Sequence, residues 1–210
     1  MIREIITPDR KQQSLFHACN FGGMEELLAF LNSVFPLSDA LTEHLSLTVK
    51  VRELRKKEIL LRAGHICRDI HFIARGLLRC YYEKGEQEVC SWFMKEGDVI
   101  VSIESFFERK VSYESIQALE DCVLFYINYD ELYHIYQTYP EFNWISRELT
   151  QHYYILWAKQ LYGLRMQSAQ ERYDWLLANF PELALRVPAK YVASWLGINE
   201  AHFSVVKGRK

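Results

Sequence analysis

The pattern of apolar and polar positions changes character three times along the chain. Residues 1–23, ending "HACNFGG", show no sustained periodicity. At Met24 the stretch "MEELLAFLNSVFPLSDALTEHLSLTV" begins with apolar residues at helical spacing. We therefore expect Met24 to be a natural start and the preceding segment to be an extension, disordered or non-native. From about Ser46 to Ile127 the chain turns to short apolar runs: "EILLRAGH", "DIHFIARG", "LLRCYYEKGEQEVCSWFMKEGD" and "YESIQALEDCVLFYI". Short strands at close spacing, with Gly64, Gly76, Gly85 and Gly97 at the breaks, predict an all-β sandwich or barrel. "YYEKGEQEV" predicts a hairpin with its tip near Lys84, Gly85 and Glu86.

From Tyr129 the helical period returns, first in "YDELYHIYQTYP" and then, beyond Pro140, in "EFNWISRELTQHYYILWAKQLYGLRM". Ile145, Leu149, Leu156 and Leu161, widened by Tyr153, Ile155 and Trp157, make a stripe broader than one packing face needs. The width predicts two partners for this helix, the β domain and a second subunit; burial within its own domain is the alternative. Ser168-Ala169-Gln170-Glu171 predicts a capping box, and the helix behind it buries Tyr173, Leu176, Leu177 and Phe180 and ends before Pro181. Pro188 stands where a helix N1 residue would, and "AKYVASWLG" follows with Val192 and Leu196 four apart. Gly197 closes this helix as its left-handed residue, and Asn199 caps the last one, "EAHFSVVKGRK". Helix, short glycine-containing turn and helix form the helix-turn-helix signature.

Composition narrows the picture further. Half of the 210 residues are apolar, enough to fill a core. No run of about 18 apolar residues occurs and the N-terminus is too polar for a secretory segment, so no membrane partner and a cytoplasmic location are expected. Five cysteines (Cys19, Cys67, Cys80, Cys90, Cys122) contain no CxxC pair, which argues against disulfide, zinc and iron–sulfur frameworks. The net charge of −2 gives no global attraction to nucleic acid. A local patch exists near the end, where Arg165, Arg172, Arg186, Lys190, Lys207, Arg209 and Lys210 face Glu171, Asp174, Glu182 and Glu200.

The order of these parts resembles the Crp/Fnr family of transcription regulators. The carriers are "IHFIARGLLRCYY", "FMKEGDVI", "IESFF", "ESIQALEDCVLFYI" and "RVPAKYVASWLGINEAHFSVV", in family order over residues 24–210. The resemblance implies an α+β chain with a double-stranded β-roll of the jelly-roll, cyclic-nucleotide-binding type, a long dimerisation helix and a C-terminal all-α helix-turn-helix lacking a complete wing. The corresponding ranges are 1–23 for the extension, 24–140 for the sensor, 141–166 for the dimerisation helix and 167–210 for the DNA-binding domain. It further implies a homodimer that binds an operator in double-stranded DNA, a contact with RNA polymerase, an unknown small-molecule effector and no catalysis.

Carried over residue by residue, the family's nucleotide cassette places Glu104 at its glutamate position, with Ile103 in place of the glycine, and its phosphate-binding arginine near Ser112. The degenerate pocket is then Glu104, Ser105, Ser112 and Tyr113, and the missing countercharge predicts no ordinary cyclic-AMP binding, since a buried phosphate without a cation is costly. Cys19 alone cannot supply the family's iron–sulfur cluster, and haem would need His44, His65, His71, Cys67 or Cys80 as an axial ligand. No cofactor or metal is expected. The DNA-binding candidates are Lys190, Asn199, Glu200, His202, Ser204, Lys207, Arg209 and Lys210, with Val205 where the family often carries arginine. The dimer helix is expected to use Ile145, Leu149 and Leu156. Two other readings stand beside this one: a ligand- or protein-binding roll whose helix-turn-helix no longer reads DNA, and a cupin-like metalloenzyme, which His65 and His71, six apart, serve poorly.

Overall fold

The computed structural model describes residues 23–208. The expected extension up to Gly22, with Cys19, lies outside the described residues, as do Arg209 and Lys210. The first helical run is two helices, α1 (Met24–Val34) and α2 (Asp39–Thr48). Pro36 has no N–H to continue α1, and the Ser38 hydroxyl restarts the chain by accepting from the Leu41 N–H.

Eight strands follow: β1 (Lys50–Leu54), β2 (Ile59–Leu61), β3 (Asp69–Arg75), β4 (Leu78–Lys84), β5 (Gln87–Met94), β6 (Val99–Ile100), β7 (Glu114–Ala118) and β8 (Cys122–Asn128). They form two four-stranded antiparallel sheets, ordered β1-β8-β3-β6 and β2-β7-β4-β5. A short helix, α3 (Ile103–Glu108), lies between β6 and β7, where the sequence pattern showed no helix. Gly85 turns the β4–β5 hairpin at a φ of 63°, and Lys84 pairs with Gln87. Gly76 has a φ of 103°, and a Cβ there would lie 2.5 Å from Cys122 Sγ and 2.7 Å from Asp121 O, so no side chain fits.

Five helices complete the chain beyond α4 (Tyr129–Thr138): α5 (Pro140–Met166), α6 (Ala169–Asn179), α7 (Pro181–Arg186), α8 (Ala189–Trp195) and α9 (Glu200–Lys207). The capping box at Ser168 and Glu171 forms, the Asn199 side chain accepts from His202 N–H at 2.8 Å, and Gly197 sits at a φ of 68°. Pro188 is the residue that caps α8, one position earlier than the spacing suggested. Of the four residues expected inside α6, Tyr173 and Leu176 are buried and Leu177 and Phe180 half-buried.

Two cores result. The first fills the roll and joins α1, α2, α4 and the start of α5 through Phe30, Leu41, Ile73, Leu124, Ile135 and Ile145. The second lies on the other face of the β4–β5 sheet and binds the C-terminal helices to it through Leu77, Tyr81, Phe93, Trp195, Leu183 and Phe203. Alternation along β4 explains the division: Leu78 and Cys80 enter the first core, while Tyr81 enters the second. Arg79, between them, is 1% exposed. Its guanidinium lies 4.1 Å from the Tyr81 ring centroid and 3.8 Å from that of Tyr191, and it pairs with Glu88 at 2.6 Å and Gln117 at 2.7 Å.

Polar bonds register the helices on the roll. The Ser194 hydroxyl accepts from Cys90 N–H at 2.9 Å and donates to Glu88 O at 3.3 Å, so α8 satisfies backbone groups of the sheet's edge strand β5. Arg186 of α7 binds Glu96 through two bonds of 2.8 Å and Glu120 at 3.0 and 2.6 Å. Burial works against the Glu96 charge, but Arg186 and the Gly76 N–H hold its pKa below the usual carboxylate range. On α5, Tyr153 accepts from Val99 N–H at 2.7 Å and donates to Asp98 at 3.4 Å. Desolvation pushes the Asp98 carboxyl up to about 6, with Glu96 adding to the rise and the Lys95 N–H, the Lys95 ammonium and Tyr153 opposing it.

Replacing Arg186 with methionine leaves two acids facing each other and is expected to cost about 1–3 kcal/mol, read from urea unfolding. An unchanged midpoint would remove this cluster from what holds the helices to the roll. For Asp98 the folded pKa lies above the unfolded one, so its contribution is complete below about 4 and is lost as pH rises through about 6. Asp98→Asn is therefore expected to gain stability relative to the unmodified protein across that interval, on the order of 2 kcal/mol by pH near 7. A difference that stays flat with pH would contradict the assignment.

Candidate DNA-reading helix and roll pocket

At the roll's nucleotide-cassette position the chain closes on itself. Ser112 is 2% exposed, and its hydroxyl lies 3.0 Å from that of Ser102, itself 4% exposed. The Ser112 hydroxyl donates to Glu114 O at 2.8 Å and accepts from Glu114 N–H at 3.1 Å, while its backbone bonds to Gly64 and His65. Ser105 is also internal, accepting from Cys67 N–H at 2.8 Å and donating to Lys110 O at 2.6 Å. Ser112 is thus brought together with Ser102, which the sequence reading did not single out, while Ser105 bonds Cys67 and Lys110 instead.

Glu104 stands elsewhere. It is exposed on α3, and its carboxylate bonds the hydroxyl of Tyr113, an exposed ring stacked 5.6 Å from Tyr82. This bond, with lesser help from desolvation, pushes the Tyr113 hydroxyl up to about 12. The residue facing Ser112 is thus Ser102, two positions before the expected glutamate. Glu104 lies in the first turn of α3, on its exposed side.

Among the described residues the nearby cations are engaged elsewhere. Arg109 donates to Cys67 O at 3.4 Å and covers the Tyr129 ring at 4.6 Å, and Lys110 pairs with Glu108 at 2.6 Å. The charge inside is the Glu114 carboxyl, whose pKa burial raises although a Ser102 hydrogen bond lowers it. Of the histidines considered as ligands, His71 is buried beside Arg52 with its pKa lowered to about 3 by desolvation and then by that guanidinium. His44 bonds Glu131 at 2.6 Å.

At the other end, α8 and α9 form the expected helix-turn-helix. Phe203 and Val206 turn inward, so Glu200, His202, Ser204, Val205 and Lys207 face solvent. Asn199 is exposed but its side-chain oxygen is spent on capping. Ser204 donates back to Glu200 O at 3.0 Å. Lys190 is exposed at the start of α8, its ammonium 4.7 Å from the Tyr191 ring. The basic patch is weaker than its composition implied, because Arg186 is consumed by the roll's acids and Arg172 by the backbone carbonyls of Leu196 and Gln167.

On α5, Ile145 is fully buried in the roll core and Leu149 and Leu156 are half-buried, so Ile145 has no surface left for a second chain. Besides Trp144, Ile155, Tyr162 and Met166, α5 exposes Tyr154 at 68%, Trp157 at 58%, Leu161 at 40% and Leu164 at 44%. Their spacing of three, four and three is that of a coiled-coil seam. The sequence pattern contained this register, but the stripe's roll-facing half masked it.

The family model of the cyclic nucleotide-binding domain matches residues 51–139. A search of curated proteins found no match. Among solved structures the chain is similar to FixK2 from Bradyrhizobium japonicum, with 15% identity, a TM-score of 0.66 and coverage of 77% of this chain and 84% of that one. It is also similar to the c-di-GMP responsive global regulator CLP from Xanthomonas campestris, with 15% identity, a TM-score of 0.63 and coverage of 78% and 87%. A third is a transcriptional regulator of the crp/fnr family from Eubacterium rectale, with 18% identity, a TM-score of 0.63 and coverage of 82% and 85%. Residues 51–139 thus match the cyclic nucleotide-binding domain, and the chain that carries them shares its fold with solved structures of Crp/Fnr-type regulators.

Proposed function

We propose that the chain is a homodimeric, DNA-binding transcription regulator whose roll does not take cyclic AMP. The observation that carries the reading is the outward face of α9, which presents Glu200, His202, Ser204, Val205 and Lys207 over a core closed by Phe203 and Val206. Side chains on the first turns of such a helix reach base edges in the major groove, and Lys190 and Lys207 supply phosphate contacts. A second copy joined along Tyr154, Trp157, Leu161 and Leu164 would present two such helices and offset a weak half-site. In the roll, the paired serine hydroxyls and the Glu114 carboxyl offer a phosphate no countercharge, which supports a chain indifferent to cyclic AMP.

A second reading rests on the same helix. Glu200 repels phosphate, Val205 offers only apolar contact, and Lys207 is the one cation among the described residues of α9. A roll that binds a ligand or protein, completed by helices that do not read sequence, accommodates these residues too.

Fluorescence anisotropy against the protein's own upstream DNA and a scrambled duplex separates the two. The regulator reading expects tighter binding to the native fragment at both low and high salt; equal, salt-abolished binding to both duplexes favours the module. Replacing Lys190 and Lys207 with alanine is expected to flatten the salt slope by about 0.9 for each lysine that touched a phosphate. Trp157→Asp with Leu161→Asp is expected to halve the mass in sedimentation, and an unchanged mass would place the interface elsewhere.

A further inference from the structure

Exposure alone does not say which residues of α9 would meet a base edge; the helical period does. At about 3.6 residues per turn, the buried Phe203 and Val206 mark the side turned to the core, and the positions opposite them are Ala201, Ser204, Val205 and Gly208. These four share one strip because they stand three or four apart, and all are exposed, Val205 by 52%. Glu200, His202 and Lys207 lie about 90° or more to either side of it. The centre of the outward face is therefore small and uncharged. Ser204 has the only polar side chain of the four, and its hydroxyl proton is committed to Glu200 O at 3.0 Å. The side chains of the strip thus leave no donor free.

That lack discriminates between bases. In the major groove guanine presents two acceptors, O6 and N7, which arginine or lysine reads by donating to them. A strip without donors shuts water away from those acceptors and leaves them unpaired, which costs affinity. The 5-methyl group of thymine is the apolar feature of the groove, and a short aliphatic side chain packs against it. Ala201 and Gly208, with little or no side chain, also let the helix backbone approach the base pairs closely. We propose that α9 selects its sites through thymine methyl groups, with Val205 and Ala201 as the residues that contact them. The inference deepens the regulator reading and rests on it: it names the base feature that the helix recognises, and it assigns Glu200, His202 and Lys207 to the flanks of the groove.

The test uses the full chain to enrich binders from a randomised duplex library. The enriched duplex is then remade with each thymine in turn replaced by deoxyuridine, which lacks only the methyl. At least one position in each half-site is expected to bind about fourfold more weakly as uracil, the worth of one buried methyl. Val205→Ala trims an exposed side chain and leaves the core intact, so in that variant the uracil effect at one of these positions is expected to disappear. A uracil effect that arises from the shape of the duplex does not depend on Val205. Tolerance of uracil at every position, or a uracil effect that Val205→Ala leaves unchanged, would overturn the inference. A protein that enriches no sequence loses the regulator reading, and this inference falls with it; one that enriches a sequence yet ignores the thymine methyls loses this inference alone.

Discussion

The edge of the β4–β5 sheet sets the position of the C-terminal helices. β5 would otherwise expose backbone groups to solvent, and α8 covers it with the Ser194 hydroxyl, which serves Cys90 N–H and Glu88 O together. Trp195, one residue on, meets Trp92 and Phe93 edge-on at 6.1 and 5.9 Å. Because this contact starts the second core, the helix-turn-helix is a layer on the roll and does not hang from a linker. Arg186, bound to Glu96 and Glu120, fixes the same relation from α7.

That arrangement redistributes the charges available for binding. Arg79, Arg172 and Arg186 all lie near the C-terminal helices, yet each is engaged by Glu88 and tyrosine rings, by backbone carbonyls, or by roll acids. Cations that could have faced nucleic acid instead secure the layer. What remains exposed on α8 and α9 is lysine, Lys190 and Lys207, whose compact charge suits phosphate more than base edges.

The fold was legible where local chemistry decided it. Strand runs between glycines, the capping box at Ser168, the left-handed Gly197 and the cap at Asn199 depend on neighbours in sequence, and all are present. The break at Pro36 was equally local but was passed over, because the apolar period resumes in phase beyond it. α3 and α7, six residues each, are too short to show a period. The site was less legible. Ser102 rather than Glu104 meets Ser112 because a helix follows at Ile103, and Arg79 and Arg186 gain their partners from strands and loops distant in sequence. No spacing rule reports a charge pair separated by 90 residues.

Native-state hydrogen exchange at the Cys90 amide tests the layered arrangement most directly, since that N–H is bonded across the interface to Ser194. If the helix-turn-helix is fixed to the roll, the Cys90 amide exchanges only with global unfolding, at the same free energy as the amides of the β3–β8 ladder. Exchange of Cys90 at a much lower free energy, while that ladder stays protected, would mean that the helices lift from the roll independently and would contradict the account.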